Sequence, residues 1–266
     1  MKRIGFVWMV VAAVSAMSSA TELQFDFNGD LSASAGPGTL DYFNGATTSG
    51  AVSFGTAGSF GLSALSGGDA TVMSFAAFQP DQGLQLFPGC GPNGGGSDIN
   101  QYTMIWDLLI PSFSSSYSSL FNTNPSNGND GDFFIRENMG IGISGDYTGI
   151  INPNEWNRIG VTVDLTTSTM SKYINGVQVG SQILSSGVGG RWALYADGQA
   201  TLLLADEDGE NNAGYINSFY FADRALTSSE MAAFGGPDSD GVIPEPATGL
   251  LLITGVSLIA ARKRRS

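Results

Sequence analysis

Apolar residues recur at every second position in several separate runs. In ELQFDF, Leu23, Phe25 and Phe27 point to one side. In YTMIWDLLI, Tyr102, Met104, Trp106, Leu108 and Ile110 share a face, and in RIGVTVDL so do Ile159, Val161, Val163 and Leu165, with Arg158, Thr162 and Asp164 opposite. A period of two is that of a strand with one buried face. TVMSFAAF, DFFIR, RWALYA, ATLLLA and YINSFYF are further strand candidates, and GPG, SGG, PSNGNDGD and DEDGENNAG are turns between strands. Many short strands with polar turns predict an all-β, antiparallel sandwich or barrel. Asn175-Gly176, between two alternating segments, supplies the positive φ angles of a type I′ hairpin turn. One segment departs from this period. In ALTSSEMAAFGG, Thr227 stands three residues before Glu230, a capping box, and Gly235 follows as a stop, which predicts a helix over 228–234. GGPDSDGVIPEP after it reads as a flexible linker.

The two ends carry a different pattern. The first has Lys2 and Arg3, an apolar run from Ile4, then small residues Ser18 and Ala20 before a cut. This is the layout of a secretory signal peptide over 1–20, with Thr21 as the mature start. The other end has an uncharged stretch over 247–261 followed by Arg262, Lys263, Arg264 and Arg265. As a hydrophobic helix it is about 22 Å long, enough to cross a bilayer if the basic heads snorkel. The basic cluster places that end on the cytoplasmic side, which distinguishes it from a buried C-terminal helix.

Setting the ends aside changes the electrostatic picture. The whole chain has 11 Lys+Arg and 24 Asp+Glu, a formal charge of −13. Six of the cations and one acid (Glu245) lie in the ends, so residues 21–241 keep five cations against 23 acids, about −18. Such a surface repels nucleic acid, and most of these carboxylates serve solubility. There is no histidine, which removes Ser-His-Asp and Cys-His catalysis and every His-ligated metal. The single cysteine, Cys90, forms no intramolecular disulfide and has no cation beside it in sequence to activate it.

Pro244, Glu245 and Pro246, the single apolar segment and the basic terminus together resemble the PEP-CTERM class of exported bacterial proteins. That resemblance implies a sorting signal over 244–266, processing by a membrane-embedded exosortase, and transient residence in the inner membrane. Release to the cell surface or extracellular matrix of a Gram-negative bacterium would follow. The middle of the chain resembles a laminin-G-like, concanavalin A-like domain. The resemblance rests on Trp156, Val161, Val163, Asp164, Tyr173, Asn175 and Gly176, then on Arg224, Ala225, Leu226 and Glu230, with Asn217 where many relatives carry Asp. It implies a jelly-roll β-sandwich over 21–235 with one short C-terminal helix, followed by the linker at 236–243.

The chemistry open to such a domain is limited. Concanavalin-like glucanases often carry Glu-x-Asp-x-x-Glu on one strand, and this spacing is absent; Asp206 to Glu210 is the nearest approach and reads as a loop. The expectation is therefore no enzyme, a carbohydrate-active hydrolase being the minor alternative. The laminin-G resemblance also implies Ca²⁺ at the sandwich rim. Two loops offer oxygen ligands, one with Asn127, Asn129, Asp130 and Asp132, the other with Asp206, Asp208 and Glu210. Tyr117, Phe121, Tyr147, Trp192 and Tyr195 are aromatic by type but not separable from core. The expected function is an exported, non-catalytic module that binds extracellular polysaccharide or surface glycan, with a structural or adhesion matrix protein as the alternative.

Overall fold

In a computed structural model of the 266-residue chain, residues 20–126, 128–196 and 198–243 are described. They form two antiparallel sheets packed face to face, the sandwich expected from the alternation. Sheet A holds β1 (Glu22–Phe25), β3 (Val52–Thr56), β4 (Thr71–Phe75), β6 (Gln101–Leu109), β11 (Asn157–Asp164), β12 (Thr169–Ile174), β13 (Val177–Ile183) and β15 (Gly214–Ala222). Its order is β13-β12-β11-β6-β15-β4-β3, with β1 also paired to β15. Sheet B holds β2 (Thr39–Tyr42), β5 (Leu84–Phe87), β7 (Tyr117–Asn122), β8 (Asp132–Arg136), β9 (Ile141–Ile143), β10 (Asp146–Thr148) and β14 (Thr201–Leu203), in the order β10-β9-β8-β7-β14-β5-β2. Adjacency of distant strands, β6 beside β15 for example, is what makes the topology a jelly roll and not a meander.

The core between the sheets is the period-two set read from the chain. Leu23, Phe25, Tyr102, Met104, Trp106, Ile159, Val161, Val163 and Phe219 are buried there, and Trp106 stacks on Phe121 from the opposite sheet at 6.3 Å. The register follows the pattern: Ile159 sits opposite Trp106 and Val161 opposite Met104. Phe121 and Trp192, two of the five aromatic candidates, belong to this core.

The outer face of sheet A is covered too. Helix α2 (Ser228–Phe234) has the boundaries and the capping box expected, Glu230 N–H donating to Thr227 Oγ1 and Thr227 N–H to Glu230 Oε2. A four-residue helix α1 (Ala46–Ser49) is additional to the single helix expected. Met231 of α2 packs into a cluster with Ile105, Tyr173, Tyr220 and Leu226.

The segment after α2 differs from a flexible linker. Ser239 N–H donates to the Ser66 carbonyl, Gln24 exchanges two hydrogen bonds with the backbone of Ile243, and Val242 is buried with the α2 cluster. Under this strap runs a buried ion pair. Arg158 Nε and Nη2 donate to Asp107 Oδ1 and Oδ2 at 2.7 and 2.6 Å, and the same guanidinium donates to the carbonyls of Phe234 and Gly241. Burial pushes the Asp107 carboxyl up, while the Arg158 bonds and the Ser218 hydroxyl hold it down. The bidentate geometry is that of an ionised pair. Composition alone made 236–243 read as a tether, because its partners stand far away in sequence.

The hairpin between β12 and β13 turns at Asn175 (φ 50°) and Gly176 (φ 77°), as the sequence predicts. Asn175 Oδ1 also accepts from the Arg158 N–H, and a Cβ on Gly176 would lie 3.1 Å from the Met231 carbonyl oxygen. Valine at either position is strained at positive φ and is expected to cost about 1–3 kcal/mol. Urea melts of Asn175→Val and Gly176→Val check this; wild-type midpoints would contradict it.

Candidate functional site

The outer face of sheet B carries an open basin of about 600 Å³, the size of a small-ligand cleft. Alternation along β8 explains its floor. Phe133 and Ile135 face the core, so Asp132, Phe134 and Arg136 face out. Tyr117 on β7 lies opposite Arg136, and Tyr147 on β10 opposite Gly142, whose other neighbour is Phe134. The two tyrosine rings are 6.0 Å apart, and the Arg136 guanidinium sits over both, at 5.9 and 5.6 Å. This makes an aromatic and cationic wall at one end.

The other end is acidic. The β7–β8 connection brings Asp130, the start of β8 brings Asp132, and the loop after β14 brings Asp206, Glu207, Asp208 and Glu210. The two acidic loops, separate candidates in the sequence, thus meet in one basin. The β14–β15 loop is pinned over β7 by Ser119 N–H donating to the Glu210 carbonyl, and it is shaped by Asp208 N–H donating to Asp206 Oδ1 at 2.8 Å. Asn122 clasps the loops together: its Nδ2 donates to Asp130 Oδ2 at 2.9 Å and to Glu207 Oε2. Neither Asn122 nor Glu207 stands out in the sequence, and only the pairing of β7 with β14 makes their positions meaningful. Asn129 goes elsewhere, lining a smaller neighbouring pocket with Asp98 and Tyr195, and Asn127 lies outside the described residues.

Crowded carboxylates raise one another's pKa. Burial, then the charges of Asp130 and Asp206 and a hydrogen bond with Asp130, push Asp132 up to about 8. Burial and the neighbouring acids push Glu207 up to about 7 and raise Asp206 and Glu210 as well. Arg191 approaches Asp132 only to 3.8 Å, too far to donate a hydrogen bond, and its guanidinium lies over the Trp192 ring instead. So the acids dominate.

The donor set suits a hard cation. Asp206, Glu207 and Asp208 each offer a carboxylate oxygen, all within 4.8 Å of one another, and Asp132 Oδ1 is buried without a hydrogen-bond partner. All are oxygens, the ligands Ca²⁺ takes. Of the four aspartates expected to hold it, Asp206 and Asp208 lie together in that group, and Asp130 and Asp132 stand on the facing loop of the same basin. The sorting residues Pro244, Glu245, Pro246, Arg262, Lys263, Arg264 and Arg265, all of the signal peptide expected over 1–20 except Ala20, and the apolar segment at 247–261 lie outside the described residues.

Among solved structures, the chain is similar to domain 4 of AbnA, a GH43 extracellular arabinanase from Geobacillus stearothermophilus, in complex with arabinotriose. The identity is 18%, covering 80% of this chain and 98% of that one, with a TM-score of 0.46. It is also similar to the binding domain of botulinum neurotoxin serotype G, at 13% identity, 80% and 49% coverage and a TM-score of 0.49. The chain thus spans about half the length of that toxin domain. Likenesses of this size say nothing about ligands. No curated protein sequence matches. The family model described as the concanavalin A-like lectin/glucanases superfamily matches residues 99–232, half of the chain and the stretch from β6 to α2, and the chain belongs to that superfamily.

Proposed function

We propose that the protein is an exported, non-catalytic binding module whose sheet B basin holds a saccharide of an extracellular polysaccharide or surface glycan. One observation carries the reading: aromatic faces, an arginine and a group of carboxylates converge on one open cavity of about 600 Å³. Sugars are held by this combination, rings against the apolar faces of the pyranose and charged groups on the hydroxyls. Export rests on the two ends of the chain, exosortase and the membrane being transient partners there. Ca²⁺, held by Asp206, Glu207 and Asp208 with Asp130 and Asp132 facing them, would neutralise the acids and offer open positions to sugar hydroxyls.

Binding of the mature protein to polysaccharides extracted from the producing cells tests the reading. Saturable retention supports it. No retention of any fraction favours the structural matrix role, and release of reducing ends favours a hydrolase. Calcium has its own test. At ten times the Kd, Ca²⁺ stabilises by about 1.4 kcal/mol, which raises Tm by roughly 3–5 °C, and equal Mg²⁺ does not. Because both loops share one basin, Asp130→Asn/Asp132→Asn and Asp206→Asn/Asp208→Asn are each expected to weaken the shift. Equal shifts with both ions would mean screening alone.

A further inference from the structure

We propose that the fold contains a built seat for the chain end created by processing. On this account cleavage before Thr21 turns its backbone amide into an ammonium group that docks on Asp223 and fastens β1 to sheet A. The proposal rests on the export reading above. Hydrolysis of the Ala20–Thr21 bond consumes one water. Ala20 leaves with the carboxylate, and the Thr21 nitrogen takes up a proton.

The geometry is already set. The Thr21 N–H donates to Asp223 Oδ1 at 2.8 Å, and the Asp223 N–H donates back to the Thr21 carbonyl at 3.1 Å. The Asp223 backbone is held in turn, its carbonyl accepting from Asn93 Nδ2 at 2.6 Å. β1 begins one residue later, Glu22 opposite Ala222 and Leu23 opposite Phe221, and carries Leu23 and Phe25 into the core. The spot is open: Ala20, Thr21, Pro92, Asn93 and Asp223 line a surface cavity of about 480 Å³.

Before cleavage this contact is one neutral N–H. Afterwards it is three donors and a full charge beside a carboxylate, the stronger kind of hydrogen bond. Processing therefore strengthens the fold only once the chain has been exported, and leaves β1 more weakly held in the precursor.

The groups facing this end are Asp223, Glu22, Arg224, Cys90 and Tyr220, with Glu230 reaching it through Arg224. Burial, with Asp223 adding to it, pushes the Cys90 thiol up to about 11, and burial raises Tyr220 further, so neither ionises near neutral pH. An α-amine titrates ordinarily at about 7.7–8.0, and the Asp223 charge raises that value in the fold. The added stability is then fully present below about pH 7.7 and is lost as pH rises through the higher folded value.

The test uses the processed protein recovered from cells. N-terminal sequencing is expected to read Thr-Glu-Leu; another start would overturn the cleavage position and the seat with it. The α-amine is then acetylated selectively. Lysines interfere little: Lys2 leaves with the leader, Lys172 is buried on Asp146, and Lys263 belongs to the sorting segment that exosortase processing would remove. A one-unit pKa rise is a tenfold effect on the folding equilibrium, so acetylation should lower Tm by roughly 3–5 °C at about pH 6.5 and by little at about pH 10. In Asp223→Asn, which keeps an acceptor oxygen, acetylation should change nothing. A start at Thr21 with no pH-dependent effect of acetylation would overturn the seat while leaving the export reading intact. Should Asp223→Asn fail to fold, the pH dependence in the wild-type protein decides alone.

Discussion

Arg158→Met is expected to destabilise the domain by about 3–5 kcal/mol, a large part of the 5–15 kcal/mol by which such domains are stable. The Asp107 carboxylate is fully buried and depends on the two Arg158 bonds, with Ser218 Oγ adding a weaker third contact at 3.2 Å. Removing the cation leaves a buried charge without its counter-ion, and the carbonyls of Phe234 and Gly241 lose their shared donor. The double variant Arg158→Met/Asp107→Leu removes both charges and is expected to recover most of the loss, because an apolar pair of similar volume does not carry the desolvation penalty. Urea unfolding of the three variants measures this. A single variant within 1 kcal/mol of wild type would contradict the account of the strap.

Asp132→Asn is expected to act the other way and stabilise the protein at neutral pH. With the folded carboxyl at about 8 and the ordinary value at 3.8, the unfolded chain ionises Asp132 first as pH rises. Between those values the folded state holds the extra proton, so stability falls with rising pH by at most about 1.4 kcal/mol per unit. Shared protons and partial solvent access reduce this, and about 1–3 kcal/mol is expected at pH 7. In metal-free buffer the variant should match wild type near pH 4 and exceed it at pH 7, where folded wild type must keep a proton on Asp132 that the unfolded chain has already released. Loss of stability at pH 7 would mean that Arg191 pairs with Asp132 after all. Acids kept together at a cost to stability are a mark of a site shaped for function.

The period-two pattern made the sandwich core legible because each inward strand face is a local property: Trp106 and Val161 declare themselves by their neighbours. So do the Asn175-Gly176 turn and the Thr227 to Glu230 cap, which depend on spacings of one and three residues. The site was legible only in halves. Asp130 and Asp206 lie 76 positions apart, and their meeting follows from β14 pairing with β7, which neither loop encodes. Asn122 looks like any polar strand residue until both its partners arrive. The same holds for Arg158, whose alternation placed it on a solvent-facing side. It is buried because a strap from beyond residue 234 returns to cover it. Glycine, proline and aspartate in that strap look like linker, and the hydrogen bonds that hold it run from its backbone.

The proposed function requires that the sheet B basin be where the protein engages its saccharide. Titration of the polysaccharide fraction that the mature protein retains, by calorimetry against wild type, Tyr147→Ala and Tyr195→Ala, tests it most directly. Tyr147 stands in the basin wall, and Tyr195 is a tyrosine of the neighbouring smaller pocket. Loss of a stacking ring weakens binding by about 1 kcal/mol or more, a fivefold or larger rise in Kd. That rise is expected for Tyr147→Ala and an unchanged Kd for Tyr195→Ala. Undiminished binding by Tyr147→Ala, with the loss falling on Tyr195→Ala, would place the ligand elsewhere and contradict it.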